Sequence, residues 1–247
     1  MINNGEILIS VCIATFNGAK YIEQQLDSII KSLAFSKYNW EVLVSDDGST
    51  DSTLEIVNKF VGRNVRVVNG PKKGPAKNFE YLLNLSVGTF VFFSDQDDIW
   101  SIDRVKLTIP LLYDNDLVVC NGAIVDEYGK TMNIMVYDIF TPSKSIIRNI
   151  FSNSFVGAAL AFRRDATRKF NIFPNGIMHD VYIGICFLIC GKVIFTDLIL
   201  FKYRRHATNL TSLRDGYNIT YASIIYRLKL IFSILRFFSL RLFRVSK

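Results

Sequence analysis

The sequence predicts an α/β protein, a doubly wound and mostly parallel sheet followed by a basic, amphipathic helical tail. Three observations carry that expectation. Apolar, β-branched runs alternate with segments of helical periodicity over the first hundred residues. The early strands end in polar residues rich in Asp and Asn. The positive charge of the 247-residue chain collects at its C-terminus.

The elements follow in order. "ILISVCIATF" (7–16) is continuously apolar, as a strand covered on both faces would be. "AKYIEQQLDSIIKSL" (19–33) then sets Ile22, Leu26, Ile29, Ile30 and Leu33 at helical spacing. The unit repeats with a strand at "WEVLVS" (40–45) and a helix from Ser52 to Val61, then a strand at "NVRVVN" (64–69) and a helix from Pro75 to Leu85. "TFVFFS" (89–94) makes a fourth strand. Such alternation argues for parallel strands joined by helical crossovers. Beyond it, "LVVCNGAIVD" (117–126) reads as one or two strands, "EYGK" (127–130) as a turn, "GAALAFRRD" (157–165) as a strand ending and "MHDVYIGICFLIC" (178–190) as a buried helix. No repeat or linker breaks the chain, which implies one domain plus a tail.

Half of the residues are hydrophobic and the mean hydropathy is +0.24, high for a freely soluble protein. Residues 201–247 hold ten Lys or Arg against one acid, Asp215, whereas residues 1–200 hold 19 basic and 21 acidic groups. The body is therefore slightly acidic, and with no recognition motif present nucleic acid is not expected as a partner. In the tail, 221–247, Lys229, Arg236 and Lys247 coincide on a helical wheel with Arg244 nearby, and the rest is broadly apolar. That pattern suits a helix lying on anionic lipid, and it is too charged to span a bilayer. Packing of the tail on the enzyme or on a second copy, as a homodimer, is the other reading. Cys12, Cys120, Cys186 and Cys190 lack paired metal spacing and no secretory signal is evident, so buried thiols in a cytoplasmic protein, peripheral on the inner face of the membrane, are expected.

In open α/β sheets ligands bind beyond the carboxyl ends of the strands. Here three such ends are polar: "ATFNG" (14–18), "SDDGSTD" (45–51) and "SDQDD" (94–98). Together they describe a pocket. A turn and helix cap explain Gly48 and Asp51. Asp46 or Asp47 could instead accept the imide N–H of a uracil or thymine ring. Asp95, Asp97 and Asp98 disfavour one another's ionisation unless a cation offsets them, and oxygen-only ligands suit Mg²⁺ or Mn²⁺ carrying a diphosphate. Asp180 stands where an N-cap would and also where a base could. Lys77 and Asn78 belong either to a solvated loop or to the nucleotide site, and Trp100 and Arg104 either shape a sugar pocket or pack structurally.

The segments "CIATFNG", "VSDDGSTDST", "GPAKNF", "FFSDQDDIW", "MHD" and "YRRHATN" occur in the order found in family 2 glycosyltransferases, and the chain most resembles their bacterial rhamnosyltransferase-like branch. The resemblance implies the GT-A fold, with a nucleotide-sugar-binding half over 1–100, an acceptor-binding half over 101–215 and the tail over 216–247. It implies an inverting transfer from a UDP- or dTDP-sugar, dTDP-rhamnose first, for surface polysaccharide, and the lipid-facing tail hints that the acceptor is a glycan linked to polyprenyl diphosphate. It places Ala14, Phe16, Asn17, Asp46 and Asp47 around the nucleotide, with Lys77 and Asn78 nearby, and Asp95 and Gln96 at the ribose or sugar. Asp97, Asp98 and His206 fall at the metal and diphosphate with a neighbouring Arg, and Arg204, Arg205 and Asn209 belong to a mobile segment that closes over the donor. Asp180 becomes the catalytic base, and His179 stays structural. A sugar-nucleotide nucleotidyltransferase would carry a Gly-rich basic loop after strand one, and an NAD enzyme would carry G-x-G-x-x-G there. "ATFNGAKY" is neither, which leaves a non-catalytic glycan-binding scaffold as the alternative outside enzymology.

Overall fold

The computed structural model describes residues 8–62, 64–170, 172–206 and 221–245. The first half follows the alternation of the sequence: β1 (Leu8–Thr15), α1 (Ile22–Ser36), β2 (Asn39–Asp46), α2 (Thr53–Asn58), β3 (Val65–Asn69), α3 (Pro75–Leu85) and β4 (Phe90–Ser94). These four strands are parallel and ordered β3-β2-β1-β4. Reversal of direction after β3 sends α3 to the face opposite α1 and α2, as right-handed crossovers require. All four C-terminal ends therefore share one edge.

The second half departs from the parallel pattern. It runs β5 (Ile99–Trp100), α4 (Arg104–Asp114), β6 (Leu117–Val125), β7 (Thr131–Met135), α5 (Val136–Ile139), α6 (Ile146–Phe151), β8 (Leu160–Arg163), α7 (His179–Cys190), β9 (Val193–Arg204) and α8 (Tyr221–Val245). β8 pairs antiparallel with β4 on one side and with β6 on the other, and β6 pairs parallel with β9. The result is one nine-stranded mixed sheet, β3-β2-β1-β4-β8-β6-β9-β5, with β7 hydrogen-bonded to β6. The predicted 157–165 strand shrinks to β8 behind a 3₁₀ turn at Gly157–Ala159. The 117–126 segment is a single strand.

One hydrophobic core joins both halves, from Ile9, Val11 and Val44 through Phe92, Phe93 and Phe162 to Phe187 and Phe201. α7 presses onto this core so closely that a Cβ at Gly184 would lie 2.3 Å from the Phe155 ring. The four cysteines are free, with Cys12, Cys120 and Cys186 buried.

α8 packs on α6 and α7 through Leu230, Ile234 and Phe237. Its outward side still exposes Ile224, Leu228, Phe232, Leu235 and Phe238. Of the two readings of the tail, packing on the enzyme holds for one side of the helix, and a second apolar row is left in solvent. No helix among the described residues is long and apolar enough to cross a membrane.

Candidate active site

The shared strand edge assembles the polar segments as the sequence implied. After β1 the chain turns at Asn17, whose φ of 48° lies in the left-handed region that Asn tolerates. Asn17 N–H donates to Ser49 Oγ at 2.8 Å, and Asn17 Oδ1 accepts from Thr50 N–H at 2.8 Å. Gln96 clamps the same turn from β4: its Oε1 accepts from Thr15 Oγ1 at 2.7 Å and Phe16 N–H at 2.9 Å, and its Nε2 donates to Phe16 O at 3.1 Å. Gln96 therefore fixes Ala14, Phe16 and Asn17 relative to the acidic loop, and the Phe16 ring stands exposed over the edge.

Asp46 is buried and serves its own turn. Its Oδ2 accepts from Gly48 and Ser49 N–H, and Oδ1 from the Ser49 hydroxyl. Asp47 stands more open and holds the 70–74 loop, accepting from Lys72 N–H at 2.6 Å and Gly74 N–H at 2.7 Å, one on each oxygen. Asn78 is buried, donates to Ser45 O at 2.8 Å and keeps Oδ1 without a partner. Lys77 is directed elsewhere, with its ammonium held by Glu80 at 2.8 Å and by Phe173 O at 2.6 Å. A helix surface tied to the 173–176 loop thus takes the amine that the motif alone left undecided.

The "SDQDD" loop follows β4. Burial, then the negative charges of Asp97 and Asp180, push the Asp95 carboxyl up to about 7. Asp98 is fully buried, and burial, then the charges of Asp97 and Asp95, raises it well above the usual carboxylate range. Its Oδ1 accepts from Arg204 N–H at 3.0 Å, while Oδ2 has no partner. Asp97 meets His206 at 2.7 Å, Oδ2 to Nε2, and the imidazole stacks on Tyr21 at 4.9 Å.

Arg204 differs from its expected role at the diphosphate. It is buried, and its guanidinium donates to Asp97 O, Glu127 O and Gln24 Oε1 at 2.8, 2.8 and 2.6 Å. The side chain ties the end of β9 to the acidic loop, a structural task. Arg205 donates its N–H to Val125 O, and Asn209 lies outside the described residues.

Asp180 is the second residue of α7, and the N-cap is Met178. A carboxylate in a first helical turn is stabilised by the helix dipole, and its Oδ1 accepts from Val181 N–H at 2.7 Å. Burial outweighs these effects and lifts it to about 6, with hydrogen bonds from Gly157 N–H and the Asn153 side chain acting the other way. Asp95 and Asp180 thus face one region from two elements.

His179, next in the chain, is core. It stacks on Phe79 at 4.1 Å, neither ring nitrogen has a partner, and burial drives its pKa down to about 3. Gly157 is required here, since a Cβ would come within 2.6 Å of His179 Nε2.

Arg104 resolves the undecided pair. Its guanidinium is buried, lies 4.1 Å from the Trp100 ring centroid, donates to Ala158 O, and leaves Nε and Nη1 unpartnered. Its charge lowers Asp95 and Asp98 against burial. Asn153 and Tyr21 are residues at the site whose roles sequence reading missed. Only the polar "FSNSF" context of Asn153 hinted at one of them.

No group of three or more His, Cys, Asp or Glu among the described residues forms a metal-binding set. The donors present are the facing pair Asp97 and His206, with the orphaned Asp98 Oδ2 behind them. Two protein ligands fit a hard divalent ion that takes most of its shell from phosphate and water.

A Rossmann-like parallel half, acidic at its strand ends and joined to a mixed half whose α7 brings in a further carboxylate, suits a nucleotide-sugar transferase. The sequence model described as "Glycosyl transferase family 2" matches residues 10–170, and the chain belongs to that family. It is 25% identical over 213 residues to the UDP-Glc:alpha-D-GlcNAc-diphosphoundecaprenol beta-1,3-glucosyltransferase WfgD of Escherichia coli, covering 84% of this chain and 81% of the relative. It is 34% identical over 123 residues to the dTDP-rhamnosyl transferase RfbG of Shigella flexneri, covering 47% and 42%. Among solved structures, Staphylococcus aureus TarS 1–349 with UDP-GlcNAc superposes with a TM-score of 0.65 at 22% identity over 85% of this chain. The mannosyltransferase PcManGT of Pyrobaculum calidifontis with GDP-Man and Mn²⁺ gives 0.62 at 19% over 92%. The chain spans 62% and 64% of those two structures. The GT-A fold and glycosyltransferase class follow.

Proposed function

We propose that this enzyme is an inverting glycosyltransferase that moves a sugar from a UDP- or dTDP-sugar to a hydroxyl of a polyprenyl-diphosphate-linked glycan in bacterial polysaccharide synthesis, working at the inner membrane surface. The observation that carries the reading is the convergence of Asp47, Asp97 and His206 at one edge of the sheet, where Asp97 Oδ2 meets His206 Nε2 at 2.7 Å. The names of the WfgD and RfbG relatives supply the two candidate donors and the lipid-linked acceptor, and dTDP-rhamnose remains the first donor to test.

In this reading Asp47 and the Ala14–Asn17 turn hold the pyrimidine nucleoside, Phe16 covers it, and Asp95 receives the ribose or sugar hydroxyls. Asp97 and His206 hold Mn²⁺ or Mg²⁺, which when bound supplies positive charge to the departing diphosphate. Asp98 and Arg204 anchor the loop. Asp180 accepts the proton of the acceptor hydroxyl as its oxygen bonds to the anomeric carbon and the bond from that carbon to the phosphate oxygen breaks. A carboxyl that ionises near pH 6 is deprotonated at neutral pH yet basic enough to take that proton.

The test is nucleoside diphosphate release from a panel of UDP- and dTDP-sugars with and without Mn²⁺. Asp180→Asn should keep donor binding and lose turnover, and Asp97→Asn should lose the response to Mn²⁺. Donor binding without release by the wild type under every condition would leave the scaffold reading instead.

A further inference from the structure

We infer that the groove between α6, α8 and the start of α7 is the binding site for the diphosphate and first prenyl units of the acceptor lipid. The inference rests on Asp180 being the base. The groove holds about 250 Å³ and is lined by Asn149, Phe151, Asn153, Val181, Tyr226 and Arg227, among others. One end lies beside Asp180: Val181, the next residue of α7, lines the groove, and the Tyr226 hydroxyl accepts from Met178 N–H at 3.4 Å.

The lining fits a diphosphate ester. It contains one cation, Arg227, and no carboxylate. The guanidinium sits 5.3 Å from the Phe151 ring centroid, which supports it from below while its N–H fork stays available to phosphate oxygens. The amide side chains of Asn149 and Asn153 are already committed to backbone partners, so they shape the wall.

The groove rim then continues as apolar surface. Ile147 and Phe151, one turn apart on α6, are 71% and 53% exposed, and Leu228, Phe232 and Leu235 on α8 are each at least 60% exposed. Basic residues Arg148, Arg227, Lys229 and Arg236 flank them, and residues 216–247 contain no acid. An apolar strip with a basic border matches the interface of an anionic bilayer. A prenyl chain anchored there would leave along α8 into lipid, while its diphosphate stays at Arg227 and its sugar reaches Asp180. The occupant is accordingly a prenyl diphosphate; free pyrophosphate would satisfy only the cation.

The experiment is titration calorimetry of the full chain with farnesyl diphosphate in EDTA, which removes any metal-dependent binding at the donor site. Inorganic pyrophosphate and farnesol serve as the two half-ligands. Farnesyl diphosphate should bind more tightly than either half. Arg227→Gln should weaken it about tenfold or more, the scale of a lost charge-assisted contact, and Arg227→Lys should recover part of the loss. Lys31→Gln removes the same charge from the exposed side of α1, away from the groove, and should bind as wild type. Equal affinity of wild type and Arg227→Gln, equal loss in Lys31→Gln, or pyrophosphate binding as tightly as the full ligand would overturn the assignment. Prenyl diphosphate binding with no donor turnover would remove the glycosyl-transfer reading and retain the groove. Donor turnover with no prenyl diphosphate binding would do the reverse.

Discussion

Asp180→Asn should make the protein more stable while stopping its reaction, and the stability gain should vanish in acid. Burial holds the folded-state carboxyl at about 6 against an ordinary value of 3.8. The folded chain therefore binds the proton more tightly than the unfolded chain. Below pH 3.8 both states are protonated and the residue costs nothing. As the pH rises through this window stability is lost, and above pH 6 the full penalty is present, at most about 3 kcal/mol for a difference of roughly two pH units. The amide removes that penalty and can still accept from Val181 N–H. For a chain of this length each kcal/mol is worth roughly 2–4 °C, so the melting temperature at pH 7.5 should rise by up to about 6–12 °C. Turnover should fall by roughly 10²- to 10⁴-fold, the usual worth of a general base. Thermal melts of both proteins from pH 4 to 8 provide the assay. A variant that melts below wild type at pH 7.5, or a gap that does not shrink towards pH 4, would refute the claim that desolvation dominates at Asp180.

Other outcomes follow from packing and charge. Gly184→Ala should destabilise the protein by about 1–3 kcal/mol, as overpacking does, because the methyl meets Phe155; chemical denaturation measures it. Arg104→Met should weaken Mn²⁺ binding near neutral pH and leave it closer to wild type at pH 9, since Asp95 and Asp98 lose the cation that favours their ionised forms; calorimetry at the two pH values checks this. Phe232→Glu, on the exposed row of α8, should reduce cosedimentation with anionic vesicles several-fold and leave donor hydrolysis in detergent unchanged.

The parallel half was legible because each strand is a continuous apolar run with a helical period after it, and β1, β2, α3 and β4 fall within a residue or two of expectation. The second half was not. α4 carries Pro110 inside "RVKLTIPLLYD", which masks its periodicity. β9 is buried only at its ends, with residues 197–199 exposed, so it shows neither continuous burial nor clean alternation. Insertion of β8 antiparallel between β4 and β6 is a long-range choice that no local pattern encodes. The site divides in the same way. Strand-end residues such as Asn17, Asp47 and Asp97 were readable because topology alone places them on one edge. The placement of Asp180 among them needed the family resemblance; the two readings of Arg104 stayed open and the inward role of Arg204 was invisible because a buried guanidinium and a solvated one look alike in sequence.

The position of β8 has a mechanical consequence. Because it is hydrogen-bonded to β4 on one side and β6 on the other, no cleft can open in the sheet between its parallel half and its mixed half without breaking a ladder. Swinging of lobes, the usual way for a two-substrate enzyme to admit and release its ligands, is closed to this architecture. The two halves of the sheet therefore move as one body, and any rearrangement that admits a ligand falls to the loops beyond the strand ends.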